Sequence, residues 1–135
     1  MSTLTASPVT APARRSRRAR AARIGLGAVR VLLSAQFAAG GVLKLIANPQ
    51  MVTMFDDIGA GQGLRLLVGV CEVAGAIGLL VPRLVRLAAI GLAALMVGAA
   101  VTNVVALHTS PVLPLLLLAL ALLVAVTRTR TESGR

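Results

Sequence analysis

Four apolar runs, at about 24–47, 63–81, 84–107 and 110–127, take up most of this 135-residue chain. Each is close to the ~20 residues that a helix rising ~1.5 Å per residue needs to cross a ~30 Å hydrocarbon layer. Inside such a layer every backbone polar group must be satisfied within its own segment, which leaves helices as the solution for spans of this length. A water-soluble packing is excluded by the arithmetic of the surface. The chain is 57% hydrophobic and has four acidic residues, too few polar groups to cover a globule. The predicted fold is all-α: one polytopic membrane domain, a four-transmembrane-helix bundle over 24–127, with a basic disordered tail at 1–23 and a second basic tail at 128–135.

Charge placement sets the threading. The formal net charge of +10 suggests nucleic acid at first sight, but the arginines collect just outside the apolar runs. Arg14, Arg15, Arg17, Arg18, Arg20 and Arg23 precede the first run, Arg83 and Arg86 flank the break at Pro82, and Arg128 and Arg130 follow the fourth. An even number of spans puts all three clusters on one side. The positive-inside rule then makes both termini cytoplasmic. Three readings compete for the first cluster. A twin-arginine export signal at Ser16-Arg17-Arg18 lacks the apolar residues that should follow directly. A cleaved signal peptide is opposed by Arg30 within the run and by the run's length. A cytoplasmic flank held by anionic lipid accounts for the whole pattern. Segment 1–23, rich in Ser, Thr, Pro, Ala and Arg, has too little bulky apolar surface to order itself.

The break between the second and third runs is a tight turn, so these spans are antiparallel neighbours. The longer connection from 48 to 62 carries Pro49, Gly59 and Gly61, with a short amphipathic piece expected at 51–55 along the outer interface. Small residues such as Gly40, Gly41, Gly69, Gly75, Gly78 and Gly98 mark close helix packing.

Polar side chains within the spans are few. Glu72 stands in the middle of an apolar, glycine-rich stretch, where an ionisable group costs roughly 2.5–3.5 kcal/mol on insertion scales and marks a functional site by default. Residue counting places Glu72 ~12 Å and Lys44 ~5 Å below the outer ends of antiparallel spans, so the lysine can reach down to the carboxylate. Gln36, Lys44, Glu72, Asn103 and His108 are therefore the candidate ligand-binding or proton-relay residues, converging on one outer pocket. An ion pair that only holds two helices together is the competing reading for Lys44 and Glu72. Arg30 is expected to snorkel to the cytoplasmic side. Asn103 is expected to bond between helices, and Cys71, ~100° round the helix from Glu72, to be a buried small residue. One His and one Cys cannot build a metal site, and no nucleophile elbow or phosphate loop appears. No cofactor is evident from these residues, and nothing points to an enzyme acting alone.

Residues 37–45 (FAAGGVLKL), 69–82 (GVCEVAGAIGLLVP) and 94–99 (ALMVGA) together resemble the DoxX-like family, over roughly 27–126. The resemblance implies a small bacterial four-helix protein of the inner membrane, with a link to membrane redox or quinone chemistry. The family takes its name from a subunit of an archaeal terminal quinol oxidase, and some relatives are associated with thiol and oxidative-stress systems. Relatives often carry a histidine after the threonine of the third span. Here Asn103 follows Thr102, and His108 is the only substitute. Quinone is thus the one ligand the resemblance implies. The expected partners are the lipid bilayer and either a membrane redox protein or a second copy, with no nucleic acid. Three functions compete: a quinone- or amphiphile-binding subunit, a small proton-coupled transporter using Glu72, and a structural assembly partner. The transporter reading is weakened by the scarcity of aromatic side chains to hold a cationic substrate.

Overall fold

The structure of the protein, a computed structural model, describes the backbone over residues 11–132 and side chains over 14–127. Among the described residues there are five helices and no strand: α1 (Ala11–Leu45), α2 (Pro49–Asp57), α3 (Gly61–Leu80), α4 (Val85–Val105) and α5 (Val112–Glu132). Three of them contain stretches long and apolar enough to cross a membrane, namely Arg14–Leu45, Gly61–Leu80 and Val85–Val105, while the apolar part of α5, Val112–Thr127, is shorter.

The boundaries differ most at the two ends of the chain. Helix α1 begins at Ala11, so the arginine-rich segment expected to be disordered as far as 23 is helical from that residue on. Alanine and arginine are both strong helix formers, and an apolar span already ordered behind them removes the cost of nucleation. Residues 1–10 of that expected tail lie outside the described residues. At the other end α5 runs on to Glu132, five residues past the boundary expected at 127. The amphipathic piece expected at 51–55 is the centre of α2. Asn48 caps α2, its side chain accepting the Gln50 amide at 3.1 Å, and Pro49 occupies the first turn where a missing N–H costs nothing.

Helix α1 ends in a Schellman arrangement. The Asn48 amide donates to the Leu43 carbonyl at 3.1 Å, with Ala47 left-handed at φ 54°. After α2, Gly59 and Gly61 take φ values of 68° and 74°, a region open to glycine at little cost, and turn the chain into α3.

The four long helices form a ring in the order α1, α3, α4, α5, so that α1 and α4 lie across its centre from each other. Leu33 and Phe37 of α1, Ala76 and Leu79 of α3, Val85, Ala89, Leu92 and Met96 of α4 and Val124 and Ala125 of α5 fill that centre. Outward the ring is greasy: Leu32 and Leu87 are each 70% exposed, and large aliphatic residues stand exposed on every long helix. A water-facing surface of this kind would aggregate; against lipid tails it is the expected exterior.

The α1–α3 seam is the tightest. Arg30 donates through Nε and Nη2 to the Leu79 carbonyl at 3.0 and 2.7 Å, and Ser34 Oγ to the Ala76 carbonyl at 2.8 Å. Further along, Gly41 lies against Gly69, and Arg65 Nη1 donates to the Lys44 carbonyl. Each advance along α1, from 30 to 34, 41 and 44, is matched by a retreat along α3, from 79 to 76, 69 and 65. This is an antiparallel pair in constant register. Each helix also sends an arginine to the C-terminal carbonyls of the other, where the macrodipole is negative and orphan acceptors need donors.

Candidate functional site

Lys44 projects from the last turn of α1 and Glu72 from the middle of α3. Lys44 Nζ lies 2.9 Å from Glu72 Oε2 and 3.4 Å from the Gly40 carbonyl, and the two side chains are 12% and 7% exposed. The pair meets because the backbones do. A Cβ built on Gly41 would lie 2.8 Å from the Gly69 carbonyl oxygen and 2.7 Å from Val73 Cγ2, and one on Gly69 would lie 3.0 Å from Lys44 Cβ. Glycine is what permits this approach.

Arg65, at the start of the run expected over 63–81, was not among the candidate residues. It is 6% exposed and bonds the Lys44 carbonyl, while its Nε donates to Gln62 Oε1. Gln62 Nε2 in turn donates to Asp56 Oδ1 at 2.6 Å and to the Val52 carbonyl at 3.3 Å. A polar chain therefore runs from α2 through Gln62 and Arg65 to the backbone of the very residue that carries the ammonium. The signal was present in the spacing: Arg65, Gly69, Glu72, Ala76 and Leu79 recur at intervals of three and four, and all are buried.

Beside the pair, along the α3–α4 seam, lies a cleft of about 800 Å³. Gly75 against Leu92 and Gly78 against Ala88 hold α3 and α4 together toward the Pro82 turn. The cleft runs past them from Leu84 to Leu107, walled by aliphatic and small side chains, with Met54, Phe55 and Ile58 contributed by α2. Its polar lining consists of Lys44, Glu72, Thr102 and Asn103, with the Cys71 thiol.

The candidate residues separate accordingly. Lys44 and Glu72 touch, and Asn103 lines the same cleft while its Nδ2 donates to the Ser110 carbonyl at 3.0 Å. The bond expected of Asn103 between two helices is thus made to the loop that follows its own. Gln36 does not join them. It is exposed and lines a separate cavity of about 270 Å³ with Leu33, Leu113 and Leu117, on the α5 side of α1. Eight residues at 100° each turn Gln36 roughly 80° away from Lys44, an offset that depth counting ignores. His108 does not join them either: it is exposed in the α4–α5 loop at φ 50° and lines neither cavity. Cys71 is exposed on the cleft wall instead of buried, because its ~100° offset from Glu72 turns it out of the α1–α3 seam. Arg30 points to the end of the bundle opposite the pair, where it caps α3.

A family model described as DoxX-like matches residues 28–126. The chain belongs to the DoxX-like family. The matched range takes in the whole α1–α3 seam, the ion pair, Arg65 and the cleft of this DoxX-like protein, and it leaves out the arginines between 14 and 23. Neither a curated protein nor a solved structure matches the chain.

Proposed function

We propose that this DoxX-like protein is a redox-associated subunit of the bacterial inner membrane that binds a quinone or a similar amphiphile in the α3–α4 cleft. In this reading α1, α3, α4 and α5 all cross the bilayer, and both termini lie in the cytoplasm with the arginine clusters. The apolar part of α5, Val112–Thr127, is the shortest of the four spans, and its continuation to Glu132 carries Arg128 and Arg130 into the cytoplasmic headgroup layer. The observation that carries the reading is the cleft itself. At about 800 Å³ it falls within the ~300–1,000 Å³ typical of small-molecule sites, and it sets one buried cation–carboxylate pair in an apolar wall.

That arrangement suits a ligand with an apolar body and a carbonyl head. The apolar lining takes the body from the lipid side. Lys44 presents an N–H to a carbonyl oxygen, and Glu72, 2.9 Å from its Nζ, holds that nitrogen in place. When bound, a quinone would supply two-electron redox chemistry; the chain's own residues bind it, orient it and hold a proton donor at its oxygen. A reading in which the pair only clamps α1 to α3 is supported by the glycine contacts around it.

Ligand retention separates the two. The protein in nanodiscs would be equilibrated with a short-chain benzoquinone, re-isolated and extracted. Near-stoichiometric quinone on wild type, lost in Lys44→Ala at unchanged fold and yield, supports the binding site. Retention by Lys44→Ala equal to wild type, or by neither protein, leaves the clamp as the role of the pair.

A further inference from the structure

The arginines at the start of α1 belong to neither the cleft nor the seam. Arg14, Arg15, Arg17, Arg18, Arg20 and Arg23 are all exposed, and they sit on the same unbroken helix as Lys44. Among the described residues the only salt bridge is Lys44–Glu72, and the first turn of α1 holds no acidic residue. Asp56, Asp57 and Glu72 gather about the opposite end of α1.

Alone, this segment would be a poorly favoured helix. Arg14–Arg17, Arg14–Arg18, Arg15–Arg18, Arg17–Arg20 and Arg20–Arg23 are like-charge pairs at spacings of three and four, which repel. Positive charge near a helix N-terminus also opposes the macrodipole. Anions around the segment would relieve both.

Geometry indicates which anions. From Ile24 to Leu45, α1 rises about 33 Å, enough to fill the hydrocarbon layer, which puts Arg23 at its edge and Arg14 about 13 Å beyond. That is the depth of the headgroup layer and the water just outside it. At 100° per residue the six side chains point all round the helix, not along one face. A protein or nucleic acid docking from water would touch one face; a helix standing among headgroups meets phosphates on every side. Arg83 and Arg86, both exposed, lie at the same end of the bundle, because Arg30 of α1 caps Leu79 just before their turn.

We infer that the segment from Arg14 to Arg23 is a binding collar for the phosphate headgroups of anionic phospholipid, and that these lipids stabilise it as a helix. This does not rest on the assignment of the cleft.

Hydrogen exchange of the full chain in nanodiscs tests it. Each arginine drawn to an anionic surface is worth roughly a five-fold change in partition. Amides over 14–23 should therefore exchange at least about ten-fold more slowly in discs containing phosphatidylglycerol than in phosphatidylcholine alone. The difference should shrink with added salt, while α3 amides exchange equally in both. In a variant with Arg14, Arg15, Arg17, Arg18, Arg20 and Arg23 all replaced by Gln, the dependence of this segment on lipid charge should vanish whatever its basal helicity. Equal wild-type exchange in the two discs would overturn the inference. So would equal protection by inorganic phosphate in the zwitterionic discs, or protection that appears only when nucleic acid or an acidic protein is added.

Discussion

Gly41→Ala and Gly27→Ala are the same change in the same helix, and the structure assigns them opposite signs. Both exchange the poorest ordinary helix former for the best, a gain of up to ~1 kcal/mol in a helix interior. At Gly27 a new Cβ meets nothing within 4 Å, so that gain stands undiminished. At Gly41 it would sit 2.8 Å from the Gly69 carbonyl oxygen, 2.7 Å from Val73 Cγ2 and 3.1 Å from Glu72 Cβ. The valine methyl can rotate away, but the carbonyl belongs to helix backbone and moves only if α1 and α3 part. Overpacking of this kind costs about 1–3 kcal/mol, and a backbone clash belongs at the upper end. The net expectation is about 1–2 kcal/mol of destabilisation for Gly41→Ala and up to ~1 kcal/mol of stabilisation for Gly27→Ala, a separation of ~2–3 kcal/mol. Equilibrium unfolding in mixed micelles with increasing dodecyl sulfate, followed by far-ultraviolet circular dichroism, measures both on one scale. If the two variants fall within ~0.5 kcal/mol of each other, the resolution expected of independent substitutions, the Gly41–Gly69 contact does not set the helix spacing and the account of how the pair is brought together is wrong.

The ion pair and its support give two further tests. Lys44→Met and Glu72→Gln should each cost ~2–3 kcal/mol, somewhat below the figure for a fully buried pair because both side chains retain some exposure; a double-mutant cycle in the same micelles should give a coupling of at least ~1 kcal/mol, and additivity would show that the contact carries no energy. Arg65→Lys keeps the charge but cannot serve the Lys44 carbonyl and Gln62 Oε1 with one planar fork; a loss of ~1–2 kcal/mol and faster amide exchange across α2 are expected, and unchanged exchange in α2 would show that the Asp56–Gln62–Arg65 chain does not hold it.

What could be read from the chain alone, and what could not, divides along a physical line. Long apolar runs report burial in lipid directly, so helical spans were legible from composition and length. Counting residues from the ends of spans gives depth, and depth brought Lys44 within reach of Glu72, which lies 2.9 Å away. Depth says nothing of azimuth, and Gln36, at a suitable level, faces α5 instead. His108 was misjudged because residue counting does not follow a loop's backbone: it stands exposed at φ 50° and lines neither cavity. Arg65 was missed because a charge near the end of a span reads as an interfacial anchor, whereas as the fifth residue of α3 it lies on the buried stripe. The arginines from 14 onward were expected to be disordered because their composition was weighed in isolation. Their helix is continuous with a span, and continuity is a property of the fold rather than of the segment.

The distribution of polar contacts also makes one seam of the bundle fixed and another adaptable. Along α1–α3, Arg30, Ser34, the Lys44–Glu72 pair and Arg65 bind the two helices at both ends and the middle, and Gly41 against Gly69 leaves no space between them. In a bilayer, where burying an aliphatic surface gains nothing over lipid, such contacts are what hold a seam closed. The α3–α4 seam has the short Pro82 connection and the Gly75–Leu92 and Gly78–Ala88 contacts near it, and from there outward it is lined by aliphatic groups that lipid tails can replace at no loss. Among the described residues no side-chain hydrogen bond or ion pair joins α3 to α4, so opening that side breaks none. Glu72 therefore sits on a rigid wall beside an adaptable one: its partner Lys44 is fixed from behind by Arg65, and the face both present to the cleft is the face the bilayer can reach.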